Sequence, residues 1–290
     1  WCVRGKDEPG MDPMRPINNG YWVSAVASVI GFFIVNAVYL KDPLTGSADY
    51  RFAIAATMGI VLALVTLWIT NYFTHPDKRP VMETATSTRT GPATVILSGM
   101  AEGMESTVWA IITIGGTIIA SNLLFPESLA LGAYAVALAG LGLLTTTGFI
   151  LAMDTYGPIT DNAHGIFEMG GVHNEEASHT LAWMDAIGNT TKALTKGLAI
   201  ATAVLAAVSL FRSFIDEAHL LEKGIQINLP VVFVGLIIGG AVPFLFSAFA
   251  IKAVGRAAFG VVEEVRRQFR EHPGIMTFKE KPDYGKCVDI

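Results

Sequence analysis

The sequence predicts an all-α protein, a polytopic transmembrane helix bundle with about six membrane-spanning helices. Hydrophobic residues make up 52% of the 290 residues and charged residues 16%, well below the roughly 25% charged residues of soluble domains. Several uncharged runs reach 20 residues or more, and about 20 helical residues cross the hydrocarbon core of a bilayer. We therefore expect residues 1–290 to form a single transmembrane domain.

The uncharged runs and the polar residues between them give the expected boundaries. The connections contain Pro and Gly, as at 41–51, or basic residues, as at 74–89, and both are typical of loops. We expect the first 19 residues and the tail after residue 273 to be irregular. The predicted helices cover 21–40, 52–73, 91–125, 129–165, 185–211 and 229–270.

The basic residues predict an orientation. When residue 1 is placed in the cytoplasm and the spans alternate, 16 of the 20 Lys and Arg residues fall on the cytoplasmic side. This distribution satisfies the positive-inside rule. The acidic stretch 154–185 then lies on the cytoplasmic side, although it contains no Lys or Arg.

That stretch is the candidate functional site. It holds six carboxylates and three histidines between two apolar runs. Mg²⁺ takes oxygen ligands and usually binds through carboxylates together with substrate phosphates, so the stretch predicts a site for a Mg²⁺–polyanion complex. The spacing leaves open a second interpretation, a solvated acidic loop with ordinary ion pairs along helices.

Helical spacing places the candidate ligands on two faces. Asp154, Asp161 and Glu168 recur every seven residues and share one stripe, on a helix that Pro158 kinks or breaks. The rise of 1.5 Å per residue also puts Glu105 and Asp154 near the same membrane boundary, where ionisable groups are functional candidates by default. The alternative interpretation of Glu105 is a carboxylate that extends to the membrane–water interface and has no role in a site. The second stripe contains Asp185, Asn189, Lys192 and Lys196.

The histidines of the acidic stretch lack a set of partners typical of a Zn²⁺ site, and we interpret His164, His173 and His179 as loop residues.

Six motifs resemble the membrane-bound, ion-pumping inorganic pyrophosphatases and follow one another in the order of that family. The motifs are TGPAT at 90–94, MEST at 104–107, DNAHGIFEM at 161–169, DAIGNTTKA at 185–193, VEEVRRQF at 262–269 and KPDY at 281–284.

The resemblance implies a pyrophosphate-energised proton pump in a bacterial inner membrane. It implies hydrolysis of inorganic pyrophosphate at the cytoplasmic face with Mg²⁺, a homodimer, and no nucleic-acid partner. Asp161 and Asn189 match catalytic positions of the family, Asp154, Asp161 and Asp185 are expected to hold substrate or metal, and Glu105 is expected on the ion path.

The resemblance also implies that the pump works without potassium. The potassium-dependent members carry Ala and Gly at the positions of Lys192 and Thr195, whereas this chain resembles the potassium-independent branch, whose ammonium group replaces the bound K⁺. That branch is the one that pumps protons. The alternative for Lys192 alone is a lysine that reaches the membrane interface.

The sequence departs from the family in places. His164 stands where the family has the first of two glycines, and the motifs that carry most Mg²⁺ ligands are not found in the 290 residues. We therefore expect an internal or C-terminal-half segment of a protein of roughly sixteen helices, inactive by itself, an expectation that rests on analogy with the family. A secondary transporter or a divalent-cation channel with the same carboxylates is the alternative function, although the two halves show no inverted repeat.

Overall fold

A computed structural model describes residues 11–41, 46–170, 174–221 and 224–290. The regular structure in these ranges is helical, with two 3₁₀ turns at Thr88–Thr90 and Pro273–Thr277. Residues 1–217 and 218–290 form two separate compact units. The helices are α1 Met14–Tyr39, α2 Arg51–Thr74, α3 Arg79–Ser87, α4 Pro92–Asn122, α5 Leu129–Leu144, α6 Thr147–Met169, α7 Glu175–Glu217, α8 Pro230–Glu271 and α9 Tyr284–Val288.

The predicted fold class is confirmed. Five helical stretches in the described ranges are long and apolar enough to cross a membrane, and the bent pair of α5 and α6 gives a sixth when it is counted as one span. In the first unit α2 lies at the centre and packs against α1, α4, α5 and α7. The second unit contains α8, the 3₁₀ turn at Pro273–Thr277 and α9.

Backbone contact between small residues holds α2 against α5. A Cβ atom added to Gly142 would lie 1.9 Å from the carbonyl oxygen of Ala56, and one added to Gly59 would lie 1.8 Å from that of Ala139. Helices in lipid associate through close packing, because the lipid tails are as apolar as the side chains. These contacts allow Leu62 of α2 to be buried in the core of the first unit.

The structure divides the expected helix 129–165 into α5 and α6, which meet at an angle of 47°. Three successive threonines lie at this bend. The hydroxyl of Thr145 donates to the carbonyl of Gly142 at 2.7 Å, and buried Thr146 donates to the hydroxyl of Tyr21 on α1 at 3.2 Å. Threonine hydroxyls that bond to preceding carbonyls bend or interrupt a helix, which accounts for the break.

Two helices begin before their expected starts, and one forms where a loop was expected. Helix α1 begins at Met14, whose N–H donates to the Asp12 carboxylate at 2.9 Å. Helix α7 begins at Glu175, and the Asn174 side chain accepts from the N–H of Ala177 at 3.0 Å. The Asn174 bond is an N-cap, which stabilises a helix start in polar sequence, whereas α1 has no side-chain N-cap at Pro13. Helix α3 occupies part of the expected loop 74–89, with Pro80 in its first turn, where proline is favoured.

At the start of α2, Arg51 connects its own segment of the chain to residues 124–127, between α4 and α5. Its guanidinium pairs with the Asp49 carboxylate at 2.7 Å, also pairs with Glu127, and donates to the carbonyl of Leu124 at 3.3 Å. It also lies 4.3 Å from the centre of the Phe125 ring. The hydrogen bond from Arg51 is the largest of the causes that lower the pKa of the Asp49 carboxyl below its ordinary 3.8.

We predict that Arg51→Met lowers the melting temperature of the detergent-solubilised protein more than Arg79→Met. Arg79 is a suitable control because it makes one exposed pair, with Glu83, and such pairs contribute little. Because the folded pKa of Asp49 is lowered, the stabilisation is present above the ordinary pKa and is lost as the pH falls through the folded value. Thermal unfolding from about pH 7 to about pH 3 should therefore show the two variants converging at acidic pH, and equal melting temperatures near neutral pH would contradict the prediction.

Candidate functional site

Helices α6 and α7 cross in backbone contact, and the candidate site lies at this crossing. A Cβ atom added to Gly157 would lie 2.6 Å from the carbonyl oxygen of Gly188, and one added to Gly188 would lie 3.0 Å from the Cα atom of Gly157. Proline at 158 lies inside α6, and the helix continues through it to Met169. Because neither Gly157 nor Gly188 has a side chain, the two helices come close enough for nearby polar side chains to reach across the crossing.

Two of the acidic residues on α6 contact α7. The hydroxyl of Thr195 donates to the Asp154 carboxylate at 2.8 Å, and the Lys192 Nζ atom lies 3.4 Å from Asp161 Oδ2. The predicted stripe on α6 therefore faces α7 at these two positions. Glu168, the third member, lies 3.5 Å from the ring of His164 on its own helix.

The predicted stripe on α7 is also connected. Asn189 donates from Nδ2 to Asp185 Oδ1 at 3.4 Å and accepts from Lys192 Nζ at 3.3 Å. The Asn189 amide is thus held between an anionic and a cationic side chain. Lys196, the fourth member of the stripe, is exposed and takes no part in these contacts.

The sequence interpretation of the histidines was wrong for two of them. His164 lies in α6 and His179 in α7, so neither is a loop residue, while His173 is outside the described residues. The Nδ1 atom of His164 lies 3.3 Å from Asp185 Oδ2. A signal was present in the sequence, because His164 follows Asp161 by three residues and precedes Glu168 by four, which places all three on one helix face.

The candidate residues differ in exposure. The side chains of Asp185 and Lys192 are 22% and 25% exposed, whereas that of Asp161 is 62% exposed. The contacts at this crossing include four carboxylates, at positions 154, 161, 168 and 185, and one lysine, Lys192, so the site is anionic. Within the ranges described, no three acidic, histidine or cysteine side chains converge closely enough to hold a metal ion. The donors are oxygens of the kind that Mg²⁺ takes, but they would fill only part of its coordination shell.

Glu105 is not part of this cluster. It lies on α4 with an exposed side chain, and the described residues give it neither a hydrogen bond nor an ion pair. Its contacts therefore provide no support for a role in ion movement.

Helix α7 also contacts the end of α2, where the Thr190 hydroxyl donates to the carbonyl of Thr74 at 3.1 Å.

A membrane helix bundle with carboxylates, an amide and one ammonium group at a helix crossing is an arrangement typical of membrane proteins that bind or move ions. The family described as inorganic H⁺ pyrophosphatase matches residues 2–290, and this chain belongs to that family. The predicted resemblance is confirmed.

Relatives in two functional groups are similar to the chain. It is 46% identical to a K⁺-insensitive pyrophosphate-energized proton pump of Streptomyces coelicolor and 43% identical to one of Chloroflexus aurantiacus, over 99% and 98% of this chain. It is also 42% identical, over 96% of its length, to a putative K⁺-stimulated pyrophosphate-energized sodium pump of Clostridium tetani. The chain spans 39% of the first two relatives and 40% of the third.

We predict that Gly188→Ala destabilises the protein, because the new Cβ atom would lie 2.3 Å from Thr160 Oγ1 and would separate α6 from α7. The matched control is Gly165→Ala on α6, where a Cβ atom has nothing within 4 Å. Alanine in an open helical position stabilises by about 0.5–1 kcal/mol relative to glycine, so the control should be neutral or slightly more stable. Melting temperatures in detergent test this, and a Gly188→Ala protein as stable as the control would show that the crossing tolerates a side chain.

Proposed function

We propose that this chain is part of a membrane-bound pump that hydrolyses inorganic pyrophosphate and couples the reaction to proton translocation. The observation that carries the proposal is the cluster of Asp161, Lys192, Asn189 and Asp185 at the crossing of α6 and α7, in a chain of the inorganic H⁺ pyrophosphatase family. The names of the Streptomyces and Chloroflexus relatives support the same reaction. The intact protein is the active unit, since the chain spans 39% of those relatives.

In this proposal the cluster binds a Mg²⁺–pyrophosphate complex. Asp161 is the main ligand, because its side chain is the more exposed partner of its pair with Lys192, and Asp154, Asp185 and Asn189 contribute further oxygens. Mg²⁺ would neutralise part of the negative charge of the phosphate groups when it is bound. The side chains of this chain orient the substrate, since catalysis of phosphoryl transfer consists largely of positioning and electrostatic stabilisation.

We further propose that Lys192 supplies the positive charge that K⁺ supplies in potassium-stimulated relatives. Its ammonium group lies within 3.4 Å of both Asp161 Oδ2 and Asn189 Oδ1, where it can compensate the anionic site. The hydroxyl of Thr195 donates to Asp154 Oδ1, and this hydrogen bond makes the Oδ1 atom less available to a bound ion. Overall identity does not separate the branches, since relatives of both kinds exceed 40%, so the assignment depends on these two residues.

The proposed site faces the cytoplasm of a bacterial cell, in its inner membrane, and the intact pump is a homodimer. The asymmetry of the basic residues, 16 of 20 on one side, supports the orientation. Glu105 remains the proposed residue of the ion path, on the basis of its depth in α4 and the family resemblance.

We predict that Asp161→Ala in the full-length protein reduces pyrophosphate hydrolysis by at least about 100-fold, since it removes a ligand of the metal–substrate complex. Asp161→Glu should retain a small part of the activity. The control is His179→Ala, because His179 is exposed on α7 and makes no contact with the cluster. Phosphate release in Mg²⁺ buffer measures both variants, and equal activities would argue against the proposed role of Asp161.

We predict that the full-length protein hydrolyses pyrophosphate without K⁺ and that Lys192→Ala and Lys192→Met both lose activity in K⁺-free buffer. Added KCl should partly restore Lys192→Ala, and further with Thr195→Gly, since the ion needs room and free oxygen atoms. Lys196→Ala is the matched control, one turn away and exposed. An unmodified protein that requires K⁺, or Lys192 variants that stay active and indifferent to K⁺, would refute the role of Lys192.

A further inference from the structure

Five polar side chains form one connected chain of contacts that begins and ends on α6. From α7, Lys192 contacts Asp161 of α6 and also donates to Asn189, at 3.4 and 3.3 Å. Asn189 donates to Asp185, which in turn lies 3.3 Å from the ring of His164 on α6. The two ends, Asp161 and His164, are neighbours one turn apart on α6. The orientation of each side chain therefore depends on the next.

The direction of the His164 contact follows from the chemistry of its partner. A carboxylate accepts hydrogen bonds and donates none, so the Nδ1 atom of His164 carries the proton in its contact with Asp185 Oδ2. The other ring nitrogen lies 3.5 Å from Glu168, whose side chain is 67% exposed. Asp185 is 22% exposed and His164 is 19% exposed. The contact with Asp185 is thus both the shorter and the better shielded from water.

We propose that His164 is a positioning residue, which holds Asp185 from α6 so that the second carboxylate oxygen of Asp185 fixes the amide of Asn189. The inference rests on the proposed function, in which Asp185 and Asn189 bind the Mg²⁺–pyrophosphate complex. His164 itself touches neither metal nor substrate. A hydrogen bond to a ligating carboxylate orients it, and the loss of such a partner typically weakens metal binding about 10- to 100-fold.

The alternative role for His164 is filling space between the two helices. Two substitutions of similar shape, His164→Asn and His164→Leu, distinguish the roles. A positioning role predicts that Mg²⁺ binding is weaker in the Leu variant, whereas a space-filling role predicts that the Leu variant binds Mg²⁺ at least as well as the Asn variant. In His164→Asn the side-chain amide nitrogen stands the same number of bonds from Cβ as Nδ1 and can donate to Asp185. In His164→Leu an apolar group takes that place, although Leu has the higher helix propensity.

The test uses the full-length protein with both substitutions, and His179→Leu as the control on an exposed position of α7. Two quantities are measured: the midpoint of a Mg²⁺ titration followed by the melting temperature without substrate, and the Mg²⁺ dependence of pyrophosphate hydrolysis. We expect His164→Leu to raise both midpoints about 10-fold or more, whereas His164→Asn and His179→Leu stay within about twofold of the unmodified protein.

The outcomes separate this inference from the proposed function. If His164→Leu matches His164→Asn in both midpoints, or shows lower midpoints, His164 does not position Asp185 and the inference is overturned. If the unmodified protein neither responds to Mg²⁺ nor hydrolyses pyrophosphate, the proposed function fails first. His164→Gln refines the assignment, because its amide nitrogen reaches the Nε2 position near Glu168. Rescue by Gln but not by Asn would overturn the assignment to Asp185.

Discussion

The close approach of α6 and α7 at Gly157 and Gly188 is the contact on which the rest of the candidate site depends. With no Cβ atom on either side, the two backbones touch, and the side chains of short polar residues can then reach the neighbouring helix. Asp154, Asp161 and His164 all reach residues of α7. A separation greater by the thickness of one side chain would place these groups beyond hydrogen-bonding distance.

Negative charges outnumber positive ones at this crossing, and this excess is consistent with a site that binds a metal cation together with its substrate. The cluster has one ammonium group, that of Lys192, and four carboxylates, and the ion-pair partner of Lys192, Asp161, is 62% exposed. Such a cluster gains from a bound cation, because like charges at this spacing repel one another. Thr195 donates to Asp154 and Lys192 pairs with Asp161, so the two residues proposed to determine the potassium branch contact different carboxylates.

A different arrangement occurs at the start of α2, where both carboxylates are paired with one arginine and the pairs stabilise the fold. Arg51 contacts two carboxylates, a carbonyl and an aromatic ring, which come from Asp49 beside it and from residues 124–127. Here the acidic partners already have their cation, and the pKa of the Asp49 carboxyl is lowered accordingly. The pKa of Glu127 is lowered too, first by its own backbone hydrogen bond and then by Arg51. Carboxylates therefore stabilise the fold where an arginine pairs with them, and they form a candidate ligand-binding site where they outnumber the nearby cation.

The sequence by itself determined the membrane class, the number of spans and the family, because long uncharged runs and contiguous motifs are local properties of the chain. It also placed Asp154 and Asp161 on one stripe and Asp185, Asn189 and Lys192 on another, since helical periodicity fixes which residues share a face. The sequence predicted helix ends in polar stretches less well. The start of α7 at Glu175, for example, depends on a side-chain cap from Asn174.

Only the tertiary structure decided which side chains meet. The contact of His164 with Asp185, 21 residues apart, and that of Thr195 with Asp154, 41 residues apart, depend on the register in which α6 crosses α7. That register is set by the backbone contact at Gly157 and Gly188 and by the bend after Leu144. A helical repeat specifies which face a residue occupies, but it contains no information about the residue opposite on another helix.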